Sequence, residues 1–433
     1  MPSDLYDDTL AIDFGTSNSA VSIVEDGRPM RLAVEGAADT LPTAVFFPAD
    51  GAPMLIGAAA AEALIEGEEG RYMRALKSVL GTPLLHEERR IGGRRRTLAS
   101  VISAFLLALR QQAERQAGRP FRRALSGRPV HFHSIDPERD AQAQNDLRDC
   151  YYAAGFEEVG FMFEPEAAAL SAAAESHAEG LRASETGLIV DIGGGTSDFS
   201  VFRRAGSDVR IIASHGVRLG GTDFDHAVSM THAMPLLGLG GELRRTFGKG
   251  LLPVPNDLFA EMSTWAKIPF LYTPETLREV QEMVREAVEP ERLSRFAKVI
   301  DNQLGHELAF AVEAGKIAAN VPAGSPEAAA ARIDMSPIER GLFAPISPAS
   351  MDASLSEFRA GLREAMQETL RLADLPASGI GSVVLVGGSS LMGLVSEEAV
   401  AVCPEARLSR SDAFSSVVDG LAIALSGAPA AAA

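Results

Sequence analysis

The sequence predicts a two-lobed α/β protein, and three observations predict it. Residues 188–202, Leu-Ile-Val-Asp-Ile-Gly-Gly-Gly-Thr-Ser-Asp-Phe-Ser-Val-Phe, carry a strand into three glycines and then resume an alternating strand pattern. That is the signature of a β-hairpin whose turn has no side chains. Residues 10–23 repeat the plan, with a strand ending in Asp13, a turn at Gly15-Thr16-Ser17-Asn18 and a second alternating run. The two copies stand half a domain apart, which implies two similar subdomains facing each other, each offering one hairpin.

A glycine turn lets backbone N–H groups approach an anion without steric cost, and Thr196 adds a hydroxyl. Asp191 and Asp198 flank the turn. Two carboxylates beside such a cradle suit Mg²⁺, which takes oxygen ligands and keeps much of its water. The plain alternative, a hairpin turn between two core strands, stands for either copy alone. Taken together, the two turns can clamp one polyphosphate and its metal.

Size and charge narrow the class. The chain has 433 residues, enough for two or more cores, and its 46% hydrophobic and 23% charged residues are those of a globular protein. A net charge of −18 argues against general binding to nucleic acid or anionic membranes. The basic run from Arg89 to Arg96 reads as a hairpin with a Gly-Gly turn and a solvated face. Cys150 and Cys403 stand far apart, so neither a disulfide framework nor structural zinc is expected. The first residues are acidic and lack an apolar run. No signal peptide or membrane span is expected, and the expected location is cytoplasmic.

The remaining elements follow in order. Residues 10–24 and 44–47 read as strands. Residues 58–81 follow a helical pattern and bring Lys77, a mobile point charge suited to a phosphate or a nucleophilic water, to a helix or loop exit; an ordinary surface lysine is the alternative. A long amphipathic helix over 97–118 ends at Gly118. Residues 130–133 read as a strand that would place His131 and His133 on one face. A helix over 137–154 starts at Pro137 after an Asp136 cap. Residues 161–170 are a strand stopping at Glu164, then Pro165 in the first turn of an alanine-rich helix. Glu164 thus sits at a strand end where crevices of α/β sheets lie, or serves only as a helix cap. Gly220 and Gly221 precede another helix. Residues 234–256 read as a long inserted loop, and 275–319 as two charged helices. The second puts Glu313 and Lys316 one turn apart, as a functional or a surface pair. Another helix covers 351–374. Residues 382–390 are a buried strand running into Gly387 and Gly388, where exposed backbone can pack on a flat adenosine. A short helix over 416–425 closes the chain before a featureless tail.

These segments, in this order, resemble the actin-like ATPase superfamily. The likeness is greatest to the heat-shock 70 (DnaK-type) chaperones and, among them, the short, divergent YegD-like proteins. It runs from Ile12 to about Leu425. The resemblance implies two lobes, residues 1–186 and 187–425, each on a mixed five-stranded sheet around a nucleotide cleft, and a short tail over 426–433. It implies that Gly15, Thr16 and Ser17 form the first phosphate loop and Gly193, Gly194, Gly195 and Thr196 the second, with Gly220 and Gly221 beside them. Lys77, Glu164, Thr196 and Asp191 take the catalytic positions, and Asp13, Asp191 and Asp198 hold Mg²⁺. Glu313 and Lys316 match the ribose helix, and Gly387, Gly388 and Ser389 the adenosine motif. The implied cofactors are ATP or ADP with Mg²⁺, and K⁺ as a further ion; the implied partner is a protein client.

Three departures accompany the match. Ile317 and Leu391 stand where the family usually has arginine, and Asn18 where it has an aromatic residue or asparagine. No peptide-binding domain is expected after residue 425. The expected activity is slow Mg²⁺-dependent ATP hydrolysis. The alternatives are a nucleotide-gated scaffold or regulator, and a metabolite kinase on the same fold.

Overall fold

The computed structural model describes residues 8–133, 135–178, 184–205, 208–245, 248–322, 324–410 and 415–426. The acidic first residues and the tail from 427 onward lie outside that set. The chain divides into two compact units, Met1–Gly221 with Ala360–Ala433, and Thr222–Arg359.

Two sheets of one design form the first unit. In one, Arg28–Arg31, Asn18–Glu25, Thr9–Phe14, Arg123–Arg128 and Glu158–Phe163 lie side by side in that order, with Thr40–Pro42 also pairing to Asn18–Glu25. In the other the order is Asp208–Val217, Ser197–Ala205, Ser184–Ile192, Ser382–Val386 and Arg407–Arg410. Reading each series from its first strand, the pairings run antiparallel, antiparallel, parallel, parallel. The weak repeat between the two hairpins is therefore a duplication of a whole mixed sheet. The central strands are apolar along nearly their full length, as strands covered on both faces must be.

The two sheets share one core. Ala167, Ala168 and Ala169, from the helix Glu164–Ala178, pack on Val417, Val418, Leu421 and Ala422 of the helix Ser416–Ser426; Ala11 and Ala20 of one sheet and Ile189, Phe202, Val384 and Val386 of the other close around them. Small residues let the two helices approach closely. At Gly420 a Cβ would lie 1.7 Å from the Ala167 carbonyl oxygen, so no larger residue fits without moving a backbone. Arg31 fastens the second helix with a forked contact to Asp419, at 2.8 Å and 2.5 Å.

Several helices form where the patterning places them. Leu98–Ala117 is capped by the Thr97 hydroxyl and ends at Gly118 in a left-handed conformation. Pro137–Ala153 is capped by Asp136, whose carboxylate accepts from the Arg139 amide. Five readings need correction. Residues 58–81 are not one helical stretch: the helix Gly57–Ile65 gives way to the strand Gly70–Arg74, which pairs with Ala44–Pro48, and then to a short turn, Leu76–Val79. Gly67 at φ 73° ends the helix. Residues 130–133 are not a strand. The strand Arg123–Arg128 stops before Pro129, and carboxylates take the amides beyond it: Val130 N donates to Asp198 Oδ1 at 2.7 Å, and Phe132 N to Asp140 Oδ1 at 2.6 Å. His133 is buried while the side chain of His131 is 43% exposed, so the two share no strand face.

The other three corrections are breaks and pairings. Residues 234–256 hold a small hairpin, Glu242–Arg244 with Leu251–Pro253. Residues 275–319 form three helices rather than two, Pro274–Glu286, Pro290–Asp301 and Gly305–Ala319, because Pro290 starts a new one. Residues 351–374 fall into Pro348–Ser354 and Ser356–Leu372. Among the described residues, no helix is long and apolar enough to cross a membrane.

The closeness at Gly420 yields a prediction. Gly420→Ala should destabilise the protein by about 3 kcal/mol, read as a lower urea midpoint at unchanged slope. A midpoint equal to that of the parent chain would show that the helix crossing is not tight.

Candidate functional site

The two hairpin turns face each other across the first unit. A Cβ on Gly194 would lie 2.4 Å from Ser17 Oγ and 3.1 Å from Thr16 Cβ, and one on Gly195 would lie 3.2 Å from Thr16 Oγ1. The turn of the second hairpin closes on itself, with Gly193 N donating to Thr196 O at 2.9 Å. Gly221 N then donates to Gly193 O at 2.9 Å, and a Cβ on Gly220 would lie 2.5 Å from Gly195 N. Gly387, at φ 81°, is pressed against Ile192 O and Asp191 Oδ1; a Cβ there would come within 2.4 Å and 2.6 Å of them. A Cβ on Gly221 would lie 2.2 Å from Ser389 Oγ. Gly388 opens the short turn Gly388–Leu391. At Gly220 and Gly387 glycine is required because backbone meets backbone, while Gly194, Gly195 and Gly221 lie against the side chains of Ser17, Thr16 and Ser389.

Four carboxylates and one lysine lie beneath the turns. Lys77, Glu164, Asp191 and Asp198 are buried and Asp13 is half-buried. Lys77 Nζ sits 2.7 Å from Glu164 Oε1. Asp191 and Asp198 are direct cross-strand partners. Placing two carboxylates there is unfavourable unless positive charge joins them. Burial, then the neighbouring Glu164, pushes the Asp13 carboxyl up to about 7, with Lys77 opposing. Burial, Glu164 and Asp13 push Asp191 up to about 8. Asp198 is also raised well above the carboxylate range, by burial first, although the Val130 amide and Lys77 pull it back. For Lys77, burial favours the neutral amine, but Glu164, Asp13 and Asp198 outweigh it and hold the ammonium above its usual value.

One ammonium cannot balance four carboxylates, so without further positive charge the carboxyls hold their protons to higher pH, and a hard divalent cation is the group that such an oxygen donor set fits. No three acidic, histidine or cysteine side chains among the described residues converge closely enough to ligate one ion directly. Thr16, Lys77, Gly195, Thr196 and Arg218 line a crevice above the cluster.

Glu313 and Lys316 lie in the second unit. Lys316 is buried and its Nζ sits 2.6 Å from Asp225 Oδ1, while Trp265 Nε1 donates to Asp225 Oδ2 at 3.1 Å. Burial raises the Asp225 carboxyl against the pull of Lys316. Lys316 and Asp225 form an internal ion pair in that unit. Ile317 and Leu391 are exposed, at 61% and 43%. The sequence reading missed Arg218 and Asp146 and placed His133 on a strand face rather than against the turn carrying Lys77; all three hold that turn, through contacts 53 to 140 residues away along the chain.

The raised carboxyls predict a pH dependence. Their folded-state values lie above 3.8, so they contribute stability that is complete below about pH 4 and lost as pH rises through about 7 to 8. The metal-free protein should therefore lose thermal stability progressively between about pH 4 and about pH 8. Asp191→Asn should stabilise it at pH 8 by about 2 kcal/mol. Calorimetry in chelator checks both, and an Asn variant less stable than the parent at pH 8 would contradict the assignment.

The Hsp70 protein family model matches residues 9–235, just over half of the chain. That span contains both hairpins, Lys77, Glu164, Gly220 and Gly221. The chain is 33% identical over 234 residues to the chaperone protein HscA homolog of Azoarcus sp. (strain BH72), covering 50% of this chain and 36% of that one. It is 30% identical over 224 residues to the chaperone protein DnaK of Cenarchaeum symbiosum (strain A), covering 51% and 32%. The matched stretch thus spans about a third of the length of each relative. By the extent of that match, and with the duplicated sheet and paired hairpins in place, this chain belongs to the Hsp70 family.

Proposed function

We propose that this protein binds Mg·ATP between its two glycine turns, hydrolyses it slowly, and uses the nucleotide to govern binding of a protein partner or client in the cytoplasm. The observation that carries the reading is the buried Lys77–Glu164 pair, 2.7 Å apart, beside three further carboxylates under two apposed glycine turns. A structural ion pair does not need three extra acids around it. A site for a polyphosphate and its cation does.

The residues divide the work as follows. Backbone N–H groups of Gly15 to Ser17 and of Gly195 and Thr196 hold phosphate oxygens, with the Thr16 and Thr196 hydroxyls beside them, while the Gly193 N–H closes the second turn on Thr196 O. Lys77 offsets charge on the terminal phosphate. Glu164 fixes the lysine and, with Thr196, orients a water for in-line attack. Asp13, Asp191 and Asp198 would hold Mg²⁺ through its water shell. The ion, when bound, supplies positive charge to the phosphate oxygens. Gly387, Gly388 and Ser389 give an open backbone on which the adenosine rests. Hydrolysis of this kind is mostly positioning and electrostatics, so the rate depends on how well Lys77 and the water are placed. The relatives' names are those of chaperones, which is the support for a protein client.

Two predictions follow from these roles. ATP binding measured by calorimetry should be tighter with Mg²⁺ than without, and Asp191→Ala should abolish that metal-dependent gain; equal metal dependence in both proteins would remove Asp191 from the site. Lys77→Ala should lower single-turnover hydrolysis by about 100-fold or more with ATP affinity changed by only a fewfold. Unchanged turnover would sink the role given to Lys77.

A further inference from the structure

Lys77 is carried on a short turn whose apolar residues Leu76, Val79 and Leu80 are buried and whose backbone is also held by polar groups from elsewhere in the chain. Leu76–Val79 has only four residues, it follows Ala75 in a left-handed conformation at φ 59°, and its closing bond from Leu80 N to Lys77 O is long, 3.3 Å. A non-glycine residue in that conformation is retained only where surrounding contacts fix it. Gly81 N donates to Asp146 Oδ2 at 2.9 Å, Arg139 Nε donates to Gly81 O at 3.2 Å, and His133 Nε2 donates to Leu80 O at 2.8 Å. All three partners belong to the half of the unit built on the first sheet.

The fourth contact comes from the other sheet. Arg218 follows the strand Asp208–Val217 and stands two residues before Gly220. Its Nη2 donates to Ser78 O, next to Lys77, at 3.0 Å. Its Nη1 lies 3.3 Å from His133 Nδ1. One tautomer of His133 serves both its contacts, with the proton on Nε2 facing Leu80 O and the Nδ1 lone pair facing the guanidinium. Burial first, and the cations Arg218 and Arg139, favour that neutral ring; the Leu80 carbonyl and Asp140 oppose them. Arg218 also lines the crevice that holds Lys77, Thr16 and Thr196.

We propose that Arg218 is a positioning residue, a latch that ties the Lys77 turn to the glycine loop of the opposite sheet, so that Lys77 is aimed at the terminal phosphate only while the two hairpin-bearing halves are drawn together. The proposal rests on the reading of this crevice as the nucleotide site. It separates two functions within one loop: Gly220 and Gly221 let the backbone approach the phosphates, and Arg218 makes the catalytic lysine depend on that approach.

The test uses the full chain with Arg218→Gln, Arg218→Lys and the double variant with His133→Ala. Arg218 is exposed, so the fold should survive its loss. Arg218→Gln should lower kcat for ATP by about 10-fold or more and leave KM within about twofold of the parent. Arg218→Lys should recover part of the loss, because one ammonium can reach one of the two acceptors. The losses of the Arg218 and His133 variants should be less than multiplicative, as for residues acting through one contact. Without nucleotide, amide exchange over residues 75–85 should quicken in Arg218→Gln. An active parent chain with unchanged kcat and unchanged exchange in Arg218→Gln overturns the latch and leaves the nucleotide site standing. A raised KM at constant kcat also overturns it, since that marks Arg218 as a nucleotide ligand. A parent chain that binds no ATP overturns the nucleotide reading, and the proposal with it.

Discussion

The buried acidic cluster around Lys77 is the constraint on which the first unit depends. Taking four carboxylates out of water around one ammonium is unfavourable on every physical account, and the raised values of Asp13 and Asp191 are the measure of it. Such a cluster persists only if the surrounding fold is stable enough to impose it. The two sheets do this from opposite sides. Asp13 and Asp191 stand near the ends of equivalent central strands, Glu164 stands where an outer strand turns into a helix, and Lys77 is brought in on a separate turn. Each is fixed by an element whose other residues are core, so none can withdraw to solvent without unpacking that element. The strain is concentrated at one place and the packing that sustains it lies elsewhere, a common division at functional sites.

The duplication is close but the site is not symmetric. Opposite Asp13 in the first hairpin is Ala20, and opposite Asp191 in the second is Asp198. The first hairpin thus presents one carboxylate and the second presents two. Asp198 is further held by the Val130 amide at 2.7 Å, which comes from the first sheet's half. A cation drawn to the cluster is therefore drawn toward the second hairpin, while Lys77 and Glu164 occupy the side of the first.

What could be read from the residues was local, and what could not was assembled at long range. The hairpins announced themselves because Gly193, Gly194 and Gly195 interrupt an alternating pattern whose period belongs to strands. Pro165 announced a helix start and so located Glu164. The helix caps at Thr97 and Asp136 were visible for the same reason, since a cap is a contact within three residues. The strand Gly70–Arg74 was hidden because it forms by pairing with Ala44–Pro48, which propensity does not see. His131 and His133 sit in a run that alternates like a strand, yet Asp198 and Asp140 capture its amides from elsewhere in the chain and no ladder forms. Arg218 carried no pattern at all. Its meaning comes from partners such as Ser78 and His133, 140 and 85 residues away.

The base and the mouth of the site are built from different forces, and this bears on how a nucleotide could act on it. At the base, alanines of one helix meet Gly420 and its neighbours so closely that a methyl group would strike a carbonyl oxygen. That contact is apolar, fully buried and common to both sheets, so separating it costs a large part of the fold's stability. At the mouth, the halves are joined by the buried Val130 amide on Asp198 and by polar contacts of the exposed Arg218; each contributes about 0.5–1.5 kcal/mol, and those of the arginine are open to competition from water. A ligand shifts an equilibrium only by its differential affinity for the two states, typically a few kcal/mol. An amount of that size can open or close the mouth and cannot disturb the base. On the proposed nucleotide reading, motion would pivot about the alanine–glycine crossing, and it would be felt first by Arg218 and by the turn that carries Lys77.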